Sequence, residues 1–358
     1  MAKLDAFFKS IVETGASDMH LTVGSPPILR ISGHLTPIEY ADMTEEVLRP
    51  LLYEILTERQ IEEFEKNWDI DFAYSAPNIA RFRCNLYVNR LGIAAAFRMI
   101  PFEMPALDQL GSPPIFKDLC DRKSGLVLVT GPTGSGKSTT MAAMINHINE
   151  TRAEHIITLE DPLEFIHETK NGVISQREIG THCKSFAQGL RAALREDPDV
   201  VLVGEMRDLE TIQLAITAAE TGHLVFGTLH TRSAAKTVDR IIDVFPTDRQ
   251  EQIRAMLAES LQGVISQALL RRADGMGRAA AFEILTFTQG IASLIREKKS
   301  HQILSMMQTG KKEGMQTMDQ HLVQLVDQKL VSQSEAEKYA ENPNLFTRRT
   351  AAVAVQTS

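Results

Sequence analysis

The chain has 358 residues, enough for two ordinary domains that each bury a core. It carries 38 basic and 46 acidic residues, and the resulting net charge of −8 argues against a general nucleic-acid-binding surface. Its three cysteines, Cys84, Cys120 and Cys183, form no C-x-x-C pair, so neither a disulfide framework nor a zinc ribbon is expected.

The sequence predicts no targeting or membrane segment. Lys3, Asp5 and Lys9 interrupt the apolar residues near the N-terminus, where a signal peptide needs an uninterrupted apolar core. No apolar run approaches the length that a membrane-spanning helix requires. We therefore expect a cytoplasmic protein without direct membrane insertion.

Residues 1–104 predict a separate small α/β domain. An amphipathic helix is expected at residues 4–13, and a longer polar helix at residues 44–67. Alternating apolar and polar residues predict strands around 18–23, 28–31, 70–74, 80–88 and 93–100. This half of the chain is therefore expected to form a sheet with helices on one face.

Helix- and strand-breaking residues are densest just after this domain. They are Pro101, Pro105, Gly111, Pro113 and Pro114. Breakers at this density are typical of a connection between domains, so residues 105–121 are predicted to be the linker.

From residue 122 onward, short and nearly continuous apolar strands alternate with helices. The strands are expected at 126–129, 156–159, 200–203 and 224–226. Strands buried on both faces have this composition, which indicates a parallel sheet flanked by helices. We predict an α/β core at 122–289, a helical region at 290–345 and a disordered tail at 346–358.

The most specific motif is a phosphate-binding loop that follows the first of these strands. It matches the full G-x-x-x-x-G-K-[ST] pattern and reads Gly131-Pro132-Thr133-Gly134-Ser135-Gly136-Lys137-Ser138, with Thr139 next. Glycines let backbone N–H groups turn towards a phosphate, and the N-terminus of the following helix favours negative charge. Lys137 is expected to reach the β- and γ-phosphates, and the Ser138 hydroxyl to ligate Mg²⁺. The chain is therefore predicted to bind a nucleoside triphosphate.

Hydrolysis also requires carboxylates near the bound phosphates, and the ends of neighbouring strands are where they are expected. Glu160, Asp161 and Glu164 follow the second predicted strand, and Glu205 follows the third in a Walker-B-like pattern. Acidic residues at strand ends also serve as helix caps. The residue types alone do not decide which of the first three carboxylates is the general base.

Four segments in order resemble the motifs of the secretion ATPase superfamily of the GspE/PilT type. They are residues 131–139 (Walker A), 158–164 (T-L-E-D-P-L-E, the Asp box), 199–208 (Walker B) and 217–230 (the His box). The opening G-A-S-D-M-H-L at 15–21 narrows the resemblance to the PilT-type retraction ATPases of type IV pili. It implies a PAS-like N-terminal α/β domain and a RecA-like ATPase domain that binds ATP and Mg²⁺.

The resemblance also implies roles for individual acidic residues. Glu164 would be the general base for the attacking water, and Glu205 would hold Mg²⁺ through water together with Ser138. Glu160 and Asp161 would support the same catalytic site.

Histidines and arginines are expected to complete this site. The resemblance implies that His230, with His223 behind it, senses the γ-phosphate, and that arginines of the N-terminal domain close over the nucleotide. Arg83 and Arg98 lie on predicted strands and are the favoured candidates, since arginine pairs bidentately with phosphate. Alternating arginines on a strand can also be a solvated face. Further arginines that could reach a neighbouring subunit are Arg195, Arg207 and Arg240.

A hexameric motor at the pilus base is the assembly that the resemblance implies. Such a homohexamer would engage an inner-membrane platform protein and the pilus machinery at the cytoplasmic face of that membrane. Residues 290–297, G-I-A-S-L-I-R-E, match the family's retraction motif A-I-R-N-L-I-R-E only in part. An accessory PilU-like role therefore remains an alternative.

Two other functional classes fit the sequence less well. A RecA-like nucleic-acid motor is expected to have a basic channel with stacking aromatics, whereas aromatic residues are 6% of this chain and the net charge is negative. A non-hydrolytic, nucleotide-gated scaffold would lack the acidic groups that follow these strands.

Overall fold

The computed structural model describes residues 2–31, 33–100 and 104–346, which form two compact units. Unit 1 comprises the chain up to residue 103 together with Pro162–Ile166. Unit 2 comprises Met104–Asp161 and the chain from His167 onward. Pro101 of the expected linker region and residues 347–358 of the predicted tail lie outside the described residues.

Unit 1 contains an antiparallel sheet of six described strands in the order β3-β2-β1-β6-β5-β4. The strands are β1 (Asp18–Thr22), β2 (Ile28–Ile31), β3 (His34–Pro37), β4 (Asp69–Ala76), β5 (Ala80–Asn89) and β6 (Gly92–Ile100). The helices are α1 (Asp5–Thr14), α2 (Glu45–Tyr53) and α3 (Glu58–Asn67).

Helix α1 covers one face of this sheet because its apolar residues recur on one side. Leu4, Phe8 and Ile11, at helical spacing, are fully buried. The Phe8 ring stacks on Phe82 of β5 at 4.1 Å between centroids and meets Phe97 of β6 edge-on at 5.1 Å. The opposite face carries Arg81, Arg83 and Asn85 of β5 and, among mostly apolar residues of β6, Arg98.

The single helix predicted at 44–67 is two helices in the structure. Thr57 begins the second one with a capping box: the Gln60 N–H donates to Thr57 Oγ1, and the Thr57 N–H donates to Gln60 Oε1. This reciprocal pair satisfies two backbone donors that a continuous helix would have bonded internally. The T-x-x-Q pattern at 57–60 was the sequence signal for this boundary.

Unit 2 contains a mixed sheet of seven described strands in the order β13-β12-β7-β11-β10-β8-β9. They are β7 (Gly125–Thr130), β8 (His155–Glu160), β9 (Val173–Glu178), β10 (Val200–Val203), β11 (Leu224–Leu229), β12 (Leu261–Arg271) and β13 (Arg278–Thr286). All neighbours pair in parallel except β12 and β13, which form an antiparallel hairpin. The α/β fold class predicted from the sequence is confirmed.

Helices cover both faces of this sheet, with apolar clusters on either side. They are α4 (Ile115–Cys120), α5 (Lys137–Thr151), α6 (Phe186–Ala193), α7 (Leu209–Glu220), α8 (Ala234–Asp243), α9 (Gln250–Ser260), α10 (Gln289–Arg296), α11 (Ile303–Thr309), α12 (Met318–Asp327) and α13 (Gln333–Glu337). Among the described helices, none is both long and apolar enough to cross a membrane.

Three details of unit 2 differ from the sequence-based prediction. Strands β9, β12 and β13 were not predicted. The predicted linker at 105–121 is part of the folded unit, because α4 buries Phe116 and Leu119 completely and the Phe116 ring contacts Phe282 at 5.0 Å. Phe346, placed in the predicted tail, is buried as well.

One buried carboxylate connects two helices of unit 2. Glu283 of β13 is 2% exposed, and its two oxygens accept hydrogen bonds from the backbone N–H groups of Ala234, at 2.7 Å, and Met318, at 3.4 Å. These residues begin α8 and α12, where unpaired N–H groups favour an anion. Glu283 thus joins the helix that follows His230 to the C-terminal helical region.

Candidate nucleotide-binding site

The carboxyl ends of four parallel strands meet at one edge of the unit 2 sheet. Strands β7, β11, β10 and β8 are consecutive neighbours there. The phosphate loop follows β7, His230 follows β11, Glu205 follows β10 and Glu160 ends β8. The structure therefore brings these four predicted elements of the site to the same edge.

The phosphate loop, residues 131–138, needs glycine for its shape. Gly131, Gly134 and Gly136 have φ angles of 145°, 79° and 88°, which side chains rarely adopt. A Cβ on Gly131 would lie 2.4 Å from the Gln267 carbonyl oxygen. The Ser135 hydroxyl is buried and has no hydrogen-bond partner in the described part of the chain. A tight backbone cradle with a spare buried hydroxyl fits a phosphate group.

Lys137 is held over this loop at the start of α5. Its Nζ donates to the carbonyl oxygens of Gly131, at 2.9 Å, and Pro132, at 3.1 Å. A phosphate oxygen is a stronger acceptor for an ammonium group than a carbonyl oxygen. The ammonium is thus placed to exchange these contacts for phosphate. Ser138 and Thr139 follow on the first turn of α5 and are partly buried.

Glu205 lies between two donors at the end of β10. Its Oε1 is 2.6 Å from His230 Nε2, and its Oε2 accepts from Arg207 Nη2 at 2.5 Å. Partial burial acts to raise the pKa of Glu205, but the hydrogen bonds from Arg207 and His230 outweigh it, so the pKa is lowered. The carboxylate is therefore charged at neutral pH, as a role towards Mg²⁺ requires.

No group of three His, Cys, Asp or Glu side chains within the described ranges could hold a metal ion by itself. Mg²⁺ commonly binds through one or two protein groups, phosphate oxygens and water. Ser138 and Glu205, from neighbouring parts of this edge, suit that kind of binding. The residues present therefore fit a magnesium nucleotide.

The remaining carboxylates have different surroundings. Glu160 Oε1 accepts from Thr158 Oγ1 at 2.7 Å and from Gln176 Nε2 at 3.3 Å, so it is tied into the sheet. The Asp161 side chain is exposed. Glu164 is also exposed, and it lies in Pro162–Ile166, which groups with unit 1 rather than with the phosphate loop.

His223 does not lie at this edge, which corrects the expectation that it stands behind His230. It precedes β11, whereas His230 follows it, and a strand of six residues spans about 20 Å. Its Nδ1 is 3.0 Å from the Ala218 carbonyl oxygen. His223 instead lines a polar cavity at the amino-terminal edge of the sheet, together with Lys123 and Asp199. Within one chain it is therefore too far away to contact the nucleotide at the phosphate loop.

The two favoured arginines of unit 1 are direct neighbours. Arg83 of β5 pairs with Arg98 of β6 in the antiparallel register, and both side chains are exposed. Arg98 Nε donates to Asp18 Oδ1 at 2.8 Å. The structure thus brings Arg83 and Arg98 together on the sheet face opposite α1.

A cavity of about 700 Å³ adjoins the phosphate loop and has the size of a small-ligand site. Gly136, Thr139 and Thr140 form its loop side. The opposite side includes Gln267, Arg278 and His321.

Three of these residues are fixed by hydrogen bonds of their own. The Thr140 hydroxyl donates to Gln267 Oε1 at 2.7 Å. Burial lowers the pKa of His321 to about 4, and its Nδ1 accepts from the Phe282 N–H, so the neutral ring carries its proton on Nε2. Sequence reasoning missed this part of the site because β12 and β13 were not predicted and no local motif marks His321.

The chain is similar in sequence and in fold to known proteins of secretion systems and pili. The family model described as type II/IV secretion system protein matches residues 1–357. The chain is 50% identical over 332 residues to the type IV pilus retraction ATPase PilT of Pseudomonas aeruginosa, covering 93% of this chain and 96% of that protein. Identity to the type IV pilus ATPase PilU of the same organism is 37% over 342 residues, covering 96% and 90%. The crystal structure of the pilus retraction motor PilT with bound ADP matches with a TM-score of 0.91 at 47% identity, covering 97% of this chain and 99% of that one.

Proposed function

The chain belongs to the type II/IV secretion system protein family, and we propose that it is an ATPase that drives retraction of type IV pili and thereby twitching motility. The observation that carries this proposal is the phosphate loop beside Glu205 and His230, in a chain that matches PilT over nearly its whole length. Identity to PilT is 50% and to PilU 37%, which favours the principal retraction ATPase over the accessory PilU-like role.

The residues of unit 2 would bind and orient the nucleotide. The backbone of the phosphate loop and Lys137 hold the β- and γ-phosphates, and the adjoining cavity receives the ribose and base. Ser138 and Glu205 would hold Mg²⁺, which neutralises negative charge on the phosphate oxygens when it is bound. His230, hydrogen-bonded to Glu205, would report whether the γ-phosphate is present.

Three further side chains would complete the reaction site. Glu164 would accept the proton of the attacking water, and Arg83 and Arg98 would stabilise the charge that develops on the transferred phosphoryl group. The contacts that these groups make to nucleotide would be made and lost in each cycle, which would couple hydrolysis to a change of conformation.

The working assembly would be a homohexamer at the cytoplasmic face of the inner membrane. A ring lets neighbouring chains contribute to one another's sites, and closure limits the assembly to a defined size. The hexamer would engage a pilus platform protein and act on the pilus machinery, without inserting into the membrane.

Lys137→Ala tests the core of this proposal. The substitution removes the ammonium group that is held over the phosphate loop, so ATP hydrolysis by the purified protein should be lost and cells carrying it should not twitch. Lys236→Ala is the matched control, because Lys236 is an exposed lysine on α8 of the same unit. Wild-type turnover by Lys137→Ala at saturating ATP and Mg²⁺ would contradict the proposal.

A further inference from the structure

A row of charged residues crosses unit 1 at one level of its sheet. Arg30 of β2 pairs with Asp18 of β1, Asp18 with Arg98 of β6, and Arg98 with Arg83 of β5. Directly paired residues of antiparallel strands project from the same face of the sheet. The row therefore places three guanidinium groups and one carboxylate side by side.

This row carries an excess of positive charge although the whole chain has a net charge of −8. Arg83 and Arg98 are like charges directly opposite each other, an arrangement that destabilises a sheet. Within the described ranges Arg83 makes no side-chain hydrogen bond or ion pair, whereas Arg98 bonds to Asp18. An arrangement that costs stability fits a surface that binds an anion.

Asp18 is the fixed member of the row. It is 8% exposed, and its Oδ2 accepts from the Ser17 hydroxyl at 2.7 Å and lies 3.7 Å from Arg30 Nε. Burial acts to raise the pKa of Asp18, but hydrogen bonds from Ser17 and Arg98 and the charges of both arginines lower it overall. The carboxylate is therefore charged at neutral pH and anchored on the side away from Arg98.

Arg98 forms a hydrogen bond through one nitrogen of its guanidinium and leaves the other two accessible. Its Nε donates to Asp18 Oδ1 at 2.8 Å, yet its side chain is 70% exposed. A hydrogen bond at Nε restricts the orientation of the guanidinium, while Nη1 and Nη2 still present two parallel N–H donors. That fork matches two oxygens of a phosphate group.

We propose that Asp18 is a positioning residue that holds the Arg98 guanidinium ready to bind a nucleotide phosphate beside Arg83. The inference rests on the proposed role of Arg98 in ATP hydrolysis. Asp18 acts only through Arg98: it lowers the conformational cost of bringing the fork to the phosphate and makes no contact with the nucleotide itself. This positioning role also explains why a charged residue, Asp18, is buried in the segment A-S-D-M-H-L at residues 16–21.

The test is a double-mutant cycle on the full-length protein, with kcat and KM for ATP as readouts. Arg98→Ala should lower kcat by about 10³-fold, the lower range for loss of an arginine at the transferred phosphoryl group. Asp18→Ala should lower kcat by about tenfold, with a smaller change in KM, because misplacing a binding group costs rate. In the Arg98→Ala background, Asp18→Ala should change kcat by less than about twofold, because the guanidinium that Asp18 positions is absent.

Two further variants separate positioning from a merely structural role. Asp18→Asn keeps the shape and an acceptor oxygen, so it should restore part of the lost kcat, and it replaces Asp18→Ala in the cycle if that variant does not fold. Asp71→Asn removes an exposed carboxylate from β4 of the same sheet and should leave kcat within about twofold of the wild type. Thermal unfolding and native mass measurements on each variant check that fold and assembly are retained.

The outcomes distinguish this inference from the function on which it rests. Wild-type kcat in Asp18→Ala, or effects of Asp18→Ala and Arg98→Ala that multiply, would overturn the positioning role while leaving the ATPase intact. Unchanged kcat in Arg98→Ala would overturn the role of Arg98 and the positioning role together. Loss of hydrolysis in Lys137→Ala would support the proposed ATPase function whatever the variants of Arg98 and Asp18 show.

Discussion

At the scale of single residues, the candidate catalytic carboxylates have separate environments and therefore separable roles. Glu205 is half-buried, charged and bonded to His230 and Arg207, whereas Glu164 is exposed and belongs to a segment that groups with unit 1. A water-mediated contact to Mg²⁺ suits the first environment. Abstraction of a proton from water suits a group with free acceptor oxygens.

Substituting each carboxylate by its amide separates the two roles. Glu164→Gln should bind ATP normally but lose about 10²–10⁴-fold in kcat, because the amide cannot accept the proton. Glu205→Gln should instead need more Mg²⁺ for half-maximal hydrolysis. Steady-state assays and binding of a fluorescent ATP analogue measure both effects, with the exposed Glu168→Gln as control. Undiminished hydrolysis by Glu164→Gln would move the general base to Glu160 or Glu205.

At the scale of secondary-structure elements, Glu283 makes the junction of α8 and α12 sensitive to pH. Burial is the main cause that raises its pKa from the ordinary 4.5 to about 7, and the charges of Glu341 and Asp319 add to it. Between these pH values the unfolded chain loses the proton and the folded chain keeps it. The contribution of the protonated Glu283 side chain to the free energy of unfolding is therefore complete below about pH 4.5, and it is lost as the pH rises through about 7.

Glu283→Gln should reduce this pH dependence, since an amide does not titrate. One pKa unit corresponds to about 1.4 kcal/mol, so the stability difference between variant and wild type should change by roughly 3 kcal/mol between pH 4.5 and pH 7. Thermal unfolding at several pH values measures it, with the exposed Glu259→Gln on α9 as control. Parallel Tm curves for Glu283→Gln and wild type would show that Glu283 is not the titrating group.

Helix α10 contains the part-match to the retraction motif, and its residues differ in burial. Ile295 is 1% exposed and lies in the same core cluster as Ile291 and Ala292, whereas Leu294 is only partly buried. Truncating a buried isoleucine to alanine costs about 2–5 kcal/mol. Leu294 packs against this cluster only at its edge, so its replacement should disturb the core less than replacement of Ile295.

Leu294→Ala should leave ATP hydrolysis near the wild-type rate while cells lose pilus retraction, if α10 transmits movement rather than performing chemistry. Ile295→Ala should lower the Tm and reduce both activities. An ATPase assay, thermal unfolding and a twitching assay on complemented cells measure the three properties. Normal twitching with Leu294→Ala would contradict the idea that α10 transmits the movement that retracts the pilus.

At the scale of the whole molecule, a closed ring of chains is the expected assembly. The purified protein at micromolar concentration should form a six-chain species by native mass spectrometry in the presence of ATP and Mg²⁺. Mixing inactive Lys137→Ala chains with wild-type chains should reduce hydrolysis more steeply than dilution alone, since neighbours act together in a closed ring. A protein that stays monomeric with ATP, or a linear loss on mixing, would contradict this assembly.

The sequence by itself determined the features that depend on neighbouring residues. The phosphate loop is specified by glycines at fixed spacing and by Lys137 and Ser138 beside them, because its shape is set by local backbone angles. The buried parallel strands were recognisable from short apolar runs that end in polar residues. From these, the α/β class and a nucleotide site with Glu205 and His230 at one sheet edge could be predicted.

Only the tertiary structure decided what depends on strand order, register and long-range packing. It separated His223 from His230 by the length of β11, grouped the segment that contains Glu164 with unit 1, and formed the cavity between the phosphate loop and His321. It also aligned Asp18 with Arg98, 80 residues further along the chain. Such pairings bring together residues that are remote in sequence, and no local propensity specifies the register in which distant strands meet.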